Sequence, residues 1–538
     1  MSDLELWGGP ECTINRVGPR YGDQVRESGH DVRLSDLDRF AELGLSAIRY
    51  PVLWESVAPD DPACMDWRWA DERLARLRAL ELRPIVGLVH HGSGPRRTDL
   101  LADSFAPGLG DYAGAVARRF PWIDEYTPVN EPVTTARFSA LYGHWYPHQR
   151  DERAFWRALL NQIDGTRLAM RAIRIVNSDA KLLQTDDLGR TYATAAVRDQ
   201  AAFDNVRRWM SWDLLCGRVV PGHALWARLC GYGFEPRLRA IADDPCPPDT
   251  IGVNHYLTSD RFLDHRVQRY PERSRGGSGD RPYADTEAVR VLQPPPAGLE
   301  GVLREAWRRY GIPLAVTEIH NGCTREEQMR WMAQGWDTAR RLRDEDVDVR
   351  AVTAWSLIGS YGWDTLLTRP GRYEPGVYEI VDGQLRPTAL VELLKRLPRD
   401  ATLPAAATGH GWWQRDIRFQ HRPIPRPAPF RAFGRAAARV APDILLIAGV
   451  DEAIGVELAR CCHERGLACH FEEAGSLRDA APWGAICSEA SLFRVSRAWG
   501  VHEVPVLACV PGLDAAAIHR LLDRLIDLAS PAQVNAAA

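Results

Sequence analysis

Apolar and polar positions along the chain fall into two alternating patterns. Short β-type runs, mostly apolar, occur at Leu4–Gly9, Ser46–Tyr50, Pro84–His90, Ile123–Asn130, Lys181–Thr185, Thr250–Tyr256, Pro313–Glu318 and Ala351–Leu357. They lack period-two alternation, as strands buried on both faces do. Between them, apolar residues recur at helical spacing over Ser35–Leu43, with Ser35 placed as N-cap, and over Asp71–Leu80, Leu109–Arg119, Phe155–Val176, Gly298–Arg309 and Thr324–Arg343. Eight strands, each followed by helix, predict an α/β fold, a (β/α)8 TIM barrel with inserted loops. A doubly wound open sheet is the alternative, unusual with eight such units.

The pattern stops near residue 398. Residues 399–440 read as a Pro/Ala-rich linker, with Ala405-Ala406-Ala407 and then Pro423-Ile424-Pro425-Arg426-Pro427-Ala428-Pro429. Trp412 and Trp413 within it are expected to dock on a neighbouring surface. From 441 to 530 the alternation restarts: a strand at Asp443–Ala448, a helix at Ala453–Arg465, strands at Ala485–Cys487 and Val504–Cys509, and a helix at Asp514–Leu528. That predicts a small Rossmann-like α/β domain after a barrel of residues 1–398.

Composition narrows the function classes. A chain of 538 residues exceeds one core, so two domains fit its length. Its 45% hydrophobic and 26% charged content, with net charge −4, gives no electrostatic reason for a nucleic-acid or membrane partner. The 67 basic residues are spread over helices such as 73–83, where they read as solvated faces. Met1-Ser2-Asp3-Leu4-Glu5 has no apolar segment, so no secretory signal is expected, and no run reaches the roughly 18 apolar residues of a membrane span. The 11 cysteines are odd in number and contain no Cys-x-x-Cys pair, so no metal site is expected and the chain reads as cytoplasmic. Nineteen tryptophans hint at sugar binding, because flat aromatic faces match the apolar faces of pyranose rings.

The candidate chemistry sits at two strand ends. The run from Ile123 finishes at Asn130-Glu131-Pro132, where Pro132 biases Glu131 away from helix and makes it the terminal strand residue. Leu314-Ala315-Val316-Thr317-Glu318 ends the same way. Alone, each glutamate reads equally as a solvated, capping or ion-paired carboxylate. Together, at equivalent ends of parallel barrel strands, they face one cleft and can cleave a glycosidic bond.

Residues 1 to about 398 resemble glycoside hydrolase family 1, the β-glucosidase and β-galactosidase family. Thr127-Pro128-Val129-Asn130-Glu131-Pro132 is similar to the family's T-x-N-E-P acid/base segment with one extra residue. Val316-Thr317-Glu318 with Asn321-Gly322 resembles its T-E-N-G nucleophile segment, with Ile319-His320 inserted. Ile48-Arg49-Tyr50 through Trp54 and Pro59, Leu88-Val89-His90, Ile251 to Tyr256, and Trp355-Ser356-Leu357 with Trp363 follow in the family's order. The resemblance implies a retaining β-glycosidase without cofactor, acting on a small carbohydrate or glycoside, with Glu318 as nucleophile and Glu131 as acid/base. It also implies that Arg49 and Tyr256 lie against Glu318, and that Asn15, His90, Asn130, Asn254, Trp355 and Trp363 bind sugar. Taken singly, His90 also reads as a core histidine, and Trp355 and Trp363 as rim packing.

Departures alter the sugar pocket. Asn15 stands where the family has Gln, His91 where it has Trp, and Gly362 where it has the Glu that binds two sugar hydroxyls; Asp364, across Trp363, is a candidate replacement. Losing that carboxylate counts against plain glucosides. Glu11 reads chiefly as an ion-pairing residue, and His255 and His320 as weak recognition candidates. Two other readings share the barrel, a transglycosidase using the same intermediate and a non-hydrolytic carbohydrate-binding or regulatory protein. The C-terminal run Ile447 to Gly455 resembles the start of a short-chain reductase of the dehydrorhamnose-reductase type, but Glu452 fills the middle glycine position. Its side chain and charge would repel a pyrophosphate, so no cofactor is expected there.

Overall fold

The computed structural model describes residues 3–61, 63–279, 281–293, 295–399, 401–419, 444–465, 467–472, 482–499 and 504–533. The proline run 423–429 lies outside the described residues. By internal contacts the chain divides into two units. The first comprises Met1–Leu188, Arg207–Tyr256 and Leu299–Gly411; the second comprises Gly189–Val206, Leu257–Gly298 and Trp412–Ala538.

The first unit holds a closed barrel of eight parallel strands. They are β1 Glu5–Gly9, β2 Ala47–Pro51, β3 Arg83–His90, β4 Glu125–Asn130, β5 Lys181–Asp187, β6 Thr250–Asn254, β7 Leu314–Ile319 and β8 Val349–Trp355. Each apolar run of the sequence is one of these strands, and β1 closes the ring by pairing with β8, Glu5 opposite Ala351 and Gly9 opposite Trp355. Gly9 has to be glycine, since a Cβ there would come within 2.6 Å of the Trp355 ring. Trp7, Ala47, Ile85, Leu183, Ala315 and Ala351, from six strands around the ring, form one buried cluster. Strands from opposite sides meet only inside a barrel, so one tryptophan among small and aliphatic side chains fills the interior as a packed layer.

Helix boundaries moved where local chemistry outweighed periodicity. The helix expected from Leu109 begins at Phe105, because Pro107 falls in the first turn, where its missing N–H costs nothing. The helix of 152–176 starts under a cap from Asp151, whose carboxylate accepts from the Ala154 N–H at 2.9 Å. Ser35 occupies the N-cap position of Asp36–Ala41 but makes no capping bond.

The second unit contains a four-stranded parallel sheet of β9 Ile444–Ala448, β10 Ala468–Phe471, β11 Gly484–Ser488 and β12 Val506–Cys509, in the order β10-β9-β11-β12. Strand β10 was not expected, because its run Ala-Cys-His-Phe is short and broken by a histidine. Leu445, Ile447, Leu458, Ile486, Leu522 and Leu525 are the heart of its core, and Cys461 and Cys462 pack there as small apolar groups. A second four-stranded sheet, also unexpected, orders the strands 275–278, 281–287, 261–264 and 191–193. Trp413 is buried in this unit, and the Arg290 guanidinium lies 3.7 Å over the Trp412 ring. Gly449 turns at φ +64°, where a Cβ would meet Ser491 Oγ at 2.3 Å.

Candidate active site

Strand register brings the candidate side chains to one level at the C-terminal mouth of the barrel. His90 is opposite Asn130 across β3 and β4, Glu318 opposite Asn254 across β7 and β6, and Gly9 opposite Trp355. A register shift between Val316 and Glu318 turns the nucleophile candidate out of the regular pleat.

Glu131 is not the last strand residue. Strand β4 ends at Asn130, and Glu131 adopts a left-handed conformation at φ 47°, ψ 63° as N-cap of the short helix Pro132–Ala136. That region is costly for a residue with a Cβ and is held only when the surroundings enforce it. Here the Glu131 N–H donates to the Thr185 carbonyl at 3.2 Å, its own carbonyl accepts from Thr135 at 2.9 Å, and Pro132 fixes the first helical turn.

The two glutamates are both buried, but their partners differ. Glu318 Oε1 accepts from Arg49 Nη1 at 2.9 Å, and Oε2 accepts from the Tyr256 hydroxyl at 2.5 Å. Glu131 Oε1 accepts from Asn254 Nδ2 at 2.6 Å, and Oε2 is 3.8 Å from His91 Nε2. Burial raises both carboxyls. Arg49 pulls Glu318 back against that burial, against Glu11 as well, and it rests at about 7. Among the described residues Glu131 has no charged cationic partner; burial and the neighbouring charges of Glu318, Asp187 and Asp186 hold it well above the usual carboxylate range. Equal chemistry in unequal surroundings therefore separates one group that ionises first from one that keeps its proton.

Arg49 organises the rest. Its Nη1 also donates to the Thr317 carbonyl and its Nη2 to Asn130 Oδ1, each at 2.7 Å, and the guanidinium lies 4.8 Å over Trp355. Asn130 Nδ2 donates to His90 Nε2 at 3.1 Å, which places the His90 proton on Nδ1. Burial, followed by His91 and Arg49, lowers His90 well below its ordinary value, and His91 falls to about 3, so both rings are neutral. His90 stacks on Trp355 with ring centres 5.6 Å apart, and His91 meets Trp363 edge-on at 5.6 Å. Thr185 and Thr317 hold the amides of Asn130 and Asn254 through 2.7 Å hydrogen bonds.

Asn15 is buried near this ring with its amide donating to the Leu367 carbonyl at 3.2 Å. His255 is bound to the Leu188 carbonyl, and His320 lies 3.3 Å from Glu374. Asp364 is committed to Arg372, accepting from its backbone N–H at 2.9 Å and its Nε at 3.2 Å.

Sequence reasoning misjudged Glu11. It makes no ion pair among the described residues; its carboxylate is buried between Thr13 and the indoles of Trp355 and Trp363. The signal was present, since Glu11 lies just past the end of a barrel-strand run, as the other two glutamates lie at the ends of theirs.

In the second unit one group of described residues has metal-ligand spacing: Glu457, Cys461 and His519 offer atoms within 4.8 Å of one another. It does not fit a cation. The Arg465 guanidinium donates to His519 Nδ1 at 2.8 Å, and Arg460 is hydrogen-bonded to Glu457. The N-terminus of the helix Glu452–Glu464 is occupied by the Asp451 carboxylate, which accepts from Ile454 N–H at 2.9 Å.

No protein-family model matches the sequence. β-Glucosidase 47 of Arabidopsis thaliana is 27% identical over 156 residues, covering 24% of this chain and 29% of that protein, so the match spans under a third of the relative's length. Among solved structures, a β-glucosidase from Thermotoga maritima in complex with deoxynojirimycin aligns over 75% of this chain and 99% of its own, with TM-score 0.59 and 15% identity. The AHE enzyme of Alicyclobacillus herbarius aligns over 74% and 99%, with TM-score 0.58 and 18% identity. A family 1 β-glucosidase of T. maritima gives 75% and 99%, TM-score 0.57 and 15% identity. At these identities the likeness is one of fold: the first unit has the barrel of these β-glucosidases.

Proposed function

We propose that this chain is a retaining β-glycosidase, hydrolysing a β-linked glycoside through a covalent glycosyl–enzyme intermediate in an altered sugar pocket. The observation that carries this reading is the unequal partnering of two equally buried carboxylates, one just past β4 and one near the end of β7. Glu318, held by Arg49 and Tyr256, is the one that reaches its charged form and attacks the anomeric carbon. Glu131, without a cation, keeps its proton for the leaving oxygen and, once deprotonated, activates water. The neutral rings of His90 and His91, with Trp355 and Trp363, supply an uncharged face for the glycone. No step needs a metal or cofactor. The substrate is a small glycoside, the altered positions argue against plain glucosides, and the site of action is the cytoplasm. Among the described residues no helix is long and apolar enough to cross a membrane.

The test is intact-protein mass spectrometry after incubation with a panel of 2-deoxy-2-fluoro β-glycosides. The expected result is a single glycosyl adduct on the peptide containing Glu318. Hydrolysis with inversion, or an adduct elsewhere, overturns the assignment. Acceptor alcohols added to the reaction separate hydrolysis from glycosyl transfer, since only a transglycosidase passes most of the sugar to them.

A further inference from the structure

We propose that Glu11 is the carboxylate that reads the glycone, recognising two adjacent sugar hydroxyls together with the indole N–H groups of Trp355 and Trp363. This rests on the glycosidase reading above and specifies its substrate class: a neutral sugar with a vicinal diol rather than a cationic one.

The two oxygens of Glu11 are differently engaged. Oε1 accepts from the Thr13 N–H at 2.9 Å and the Thr13 hydroxyl at 2.7 Å, which fixes the carboxylate plane; the Glu11 N–H donates to Ser356 Oγ at 2.7 Å. Among the described residues Oε2 has only the two indole N–H groups, each at 3.3 Å, beyond the ordinary range for such bonds. One strong acceptor and two donors therefore face each other at long range. A hydroxyl both donates and accepts, so each hydroxyl of a diol can donate to Oε2 while accepting from one indole. An ammonium group could donate to Oε2 but would accept nothing from the indoles.

Three observations place this group in the reacting cleft. Trp355 closes β8 at the level of the other site residues and carries the Arg49 guanidinium on its face. The charge of Glu11 acts on both Glu318 and Tyr256. Glu11 is buried, yet among the described residues no cation pairs with it, an expensive arrangement unless polar partners are supplied. Gly362 and Asp364 leave the role open: one has no side chain and the other is spent on Arg372.

The experiment compares 4-nitrophenyl β-glycosides with their monodeoxy analogues on wild type, Glu11→Gln and Glu11→Ala. Wild-type turnover of any glycoside tests the glycosidase reading on its own. For Glu11, wild type should lose about 10- to 100-fold in kcat/KM when one reading hydroxyl is removed, the scale of a hydrogen bond to a charged group, and Glu11→Ala should lose most of that discrimination. Calorimetric binding of a sugar hydroximolactam and its deoxy form gives the same ratio without turnover. An equal loss for hydroxylated and deoxygenated ligands in both variants overturns the proposal and leaves Glu11 as a brace for the tryptophans.

Discussion

Replacing Arg49 by Met removes the guanidinium bonded to Glu318 while keeping most of the stem's bulk. Arg49 Nη1 and Glu318 Oε1 are 2.9 Å apart, with side chains 6% and 4% exposed, so water screens the pair weakly. Unit charges about 4 Å apart in an effective dielectric of about 20 attract by about 4 kcal/mol. At about 1.4 kcal/mol per pKa unit, losing that attraction raises the Glu318 carboxyl by about 2–3 units. Glu318 already stands at about 7 under burial and the charge of Glu11. A raised nucleophile pKa moves the acid limb of the pH profile to higher pH. Asn130 also loses its 2.7 Å bond from Arg49, which adds a pH-independent loss, so the limb position is the quantity to read. The assay is kcat/KM against pH on a 2,4-dinitrophenyl glycoside, whose leaving group needs no proton. The acid limb should move up by about 2 units or more, and activity at pH 6 should fall by about 100-fold or more beyond the pH-independent loss. A limb displaced by under half a unit would refute the idea that Arg49 sets the ionisation of Glu318.

Other expectations follow from the same surroundings. Glu131→Gln should retain far more activity on a dinitrophenyl glycoside than on an alkyl glycoside, whereas Glu318→Gln should lose both; steady-state kinetics on the two leaving groups decides it. Glu55 is buried with Oε2 unpartnered, and desolvation raises it to about 7. A carboxyl raised in the folded state stabilises below its unfolded pKa, and that stability is lost as pH rises towards 7. Glu55→Gln should therefore equal wild type near pH 4.5 and exceed it by about 3 kcal/mol above pH 7, read as the denaturation midpoint against pH. Adding NADPH should leave the melting temperature unchanged, because Asp451 and Glu452 put negative charge at the helix start a pyrophosphate would need; a saturable rise would contradict this.

The barrel was legible because buried parallel strands leave a signal independent of the side chains around them. All eight runs became strands, misplaced by at most two residues at either end, as at Ala351–Leu357, where the strand is Val349–Trp355. The pairing of Glu131 with Glu318 was legible because strand ends of one closed barrel must meet, whereas Arg49, Asn254 and Tyr256 were legible only through the family resemblance. Three things were not legible. The backbone of Glu131 turns left-handed, a conformation set by tertiary bonds to Thr185 and Thr135 rather than by local preference. Glu11 was read by its charge, and charge alone cannot say that its partners would be two indoles some 345 residues away. The strands of 275–278 and 281–287 are polar and wholly or partly exposed, and 261–264 is only four residues long, so the apolar run that marks a barrel strand is absent from them.

The pairing of Glu5 with Ala351 sets a schedule for the chain during its synthesis. One edge of β1 can be covered by β2 once residue 51 is available, but the other edge has no partner until β8 has been made. At ribosomal speeds of about 5–20 residues per second, that edge waits for about 15–60 s. The second unit inherits a similar delay, because its 189–206 and 257–298 segments are translated long before β9 to β12. A nascent chain stalled before residue 349 should thus be a strong client for chaperones that hold open sheets, and release past residue 355 should end that dependence.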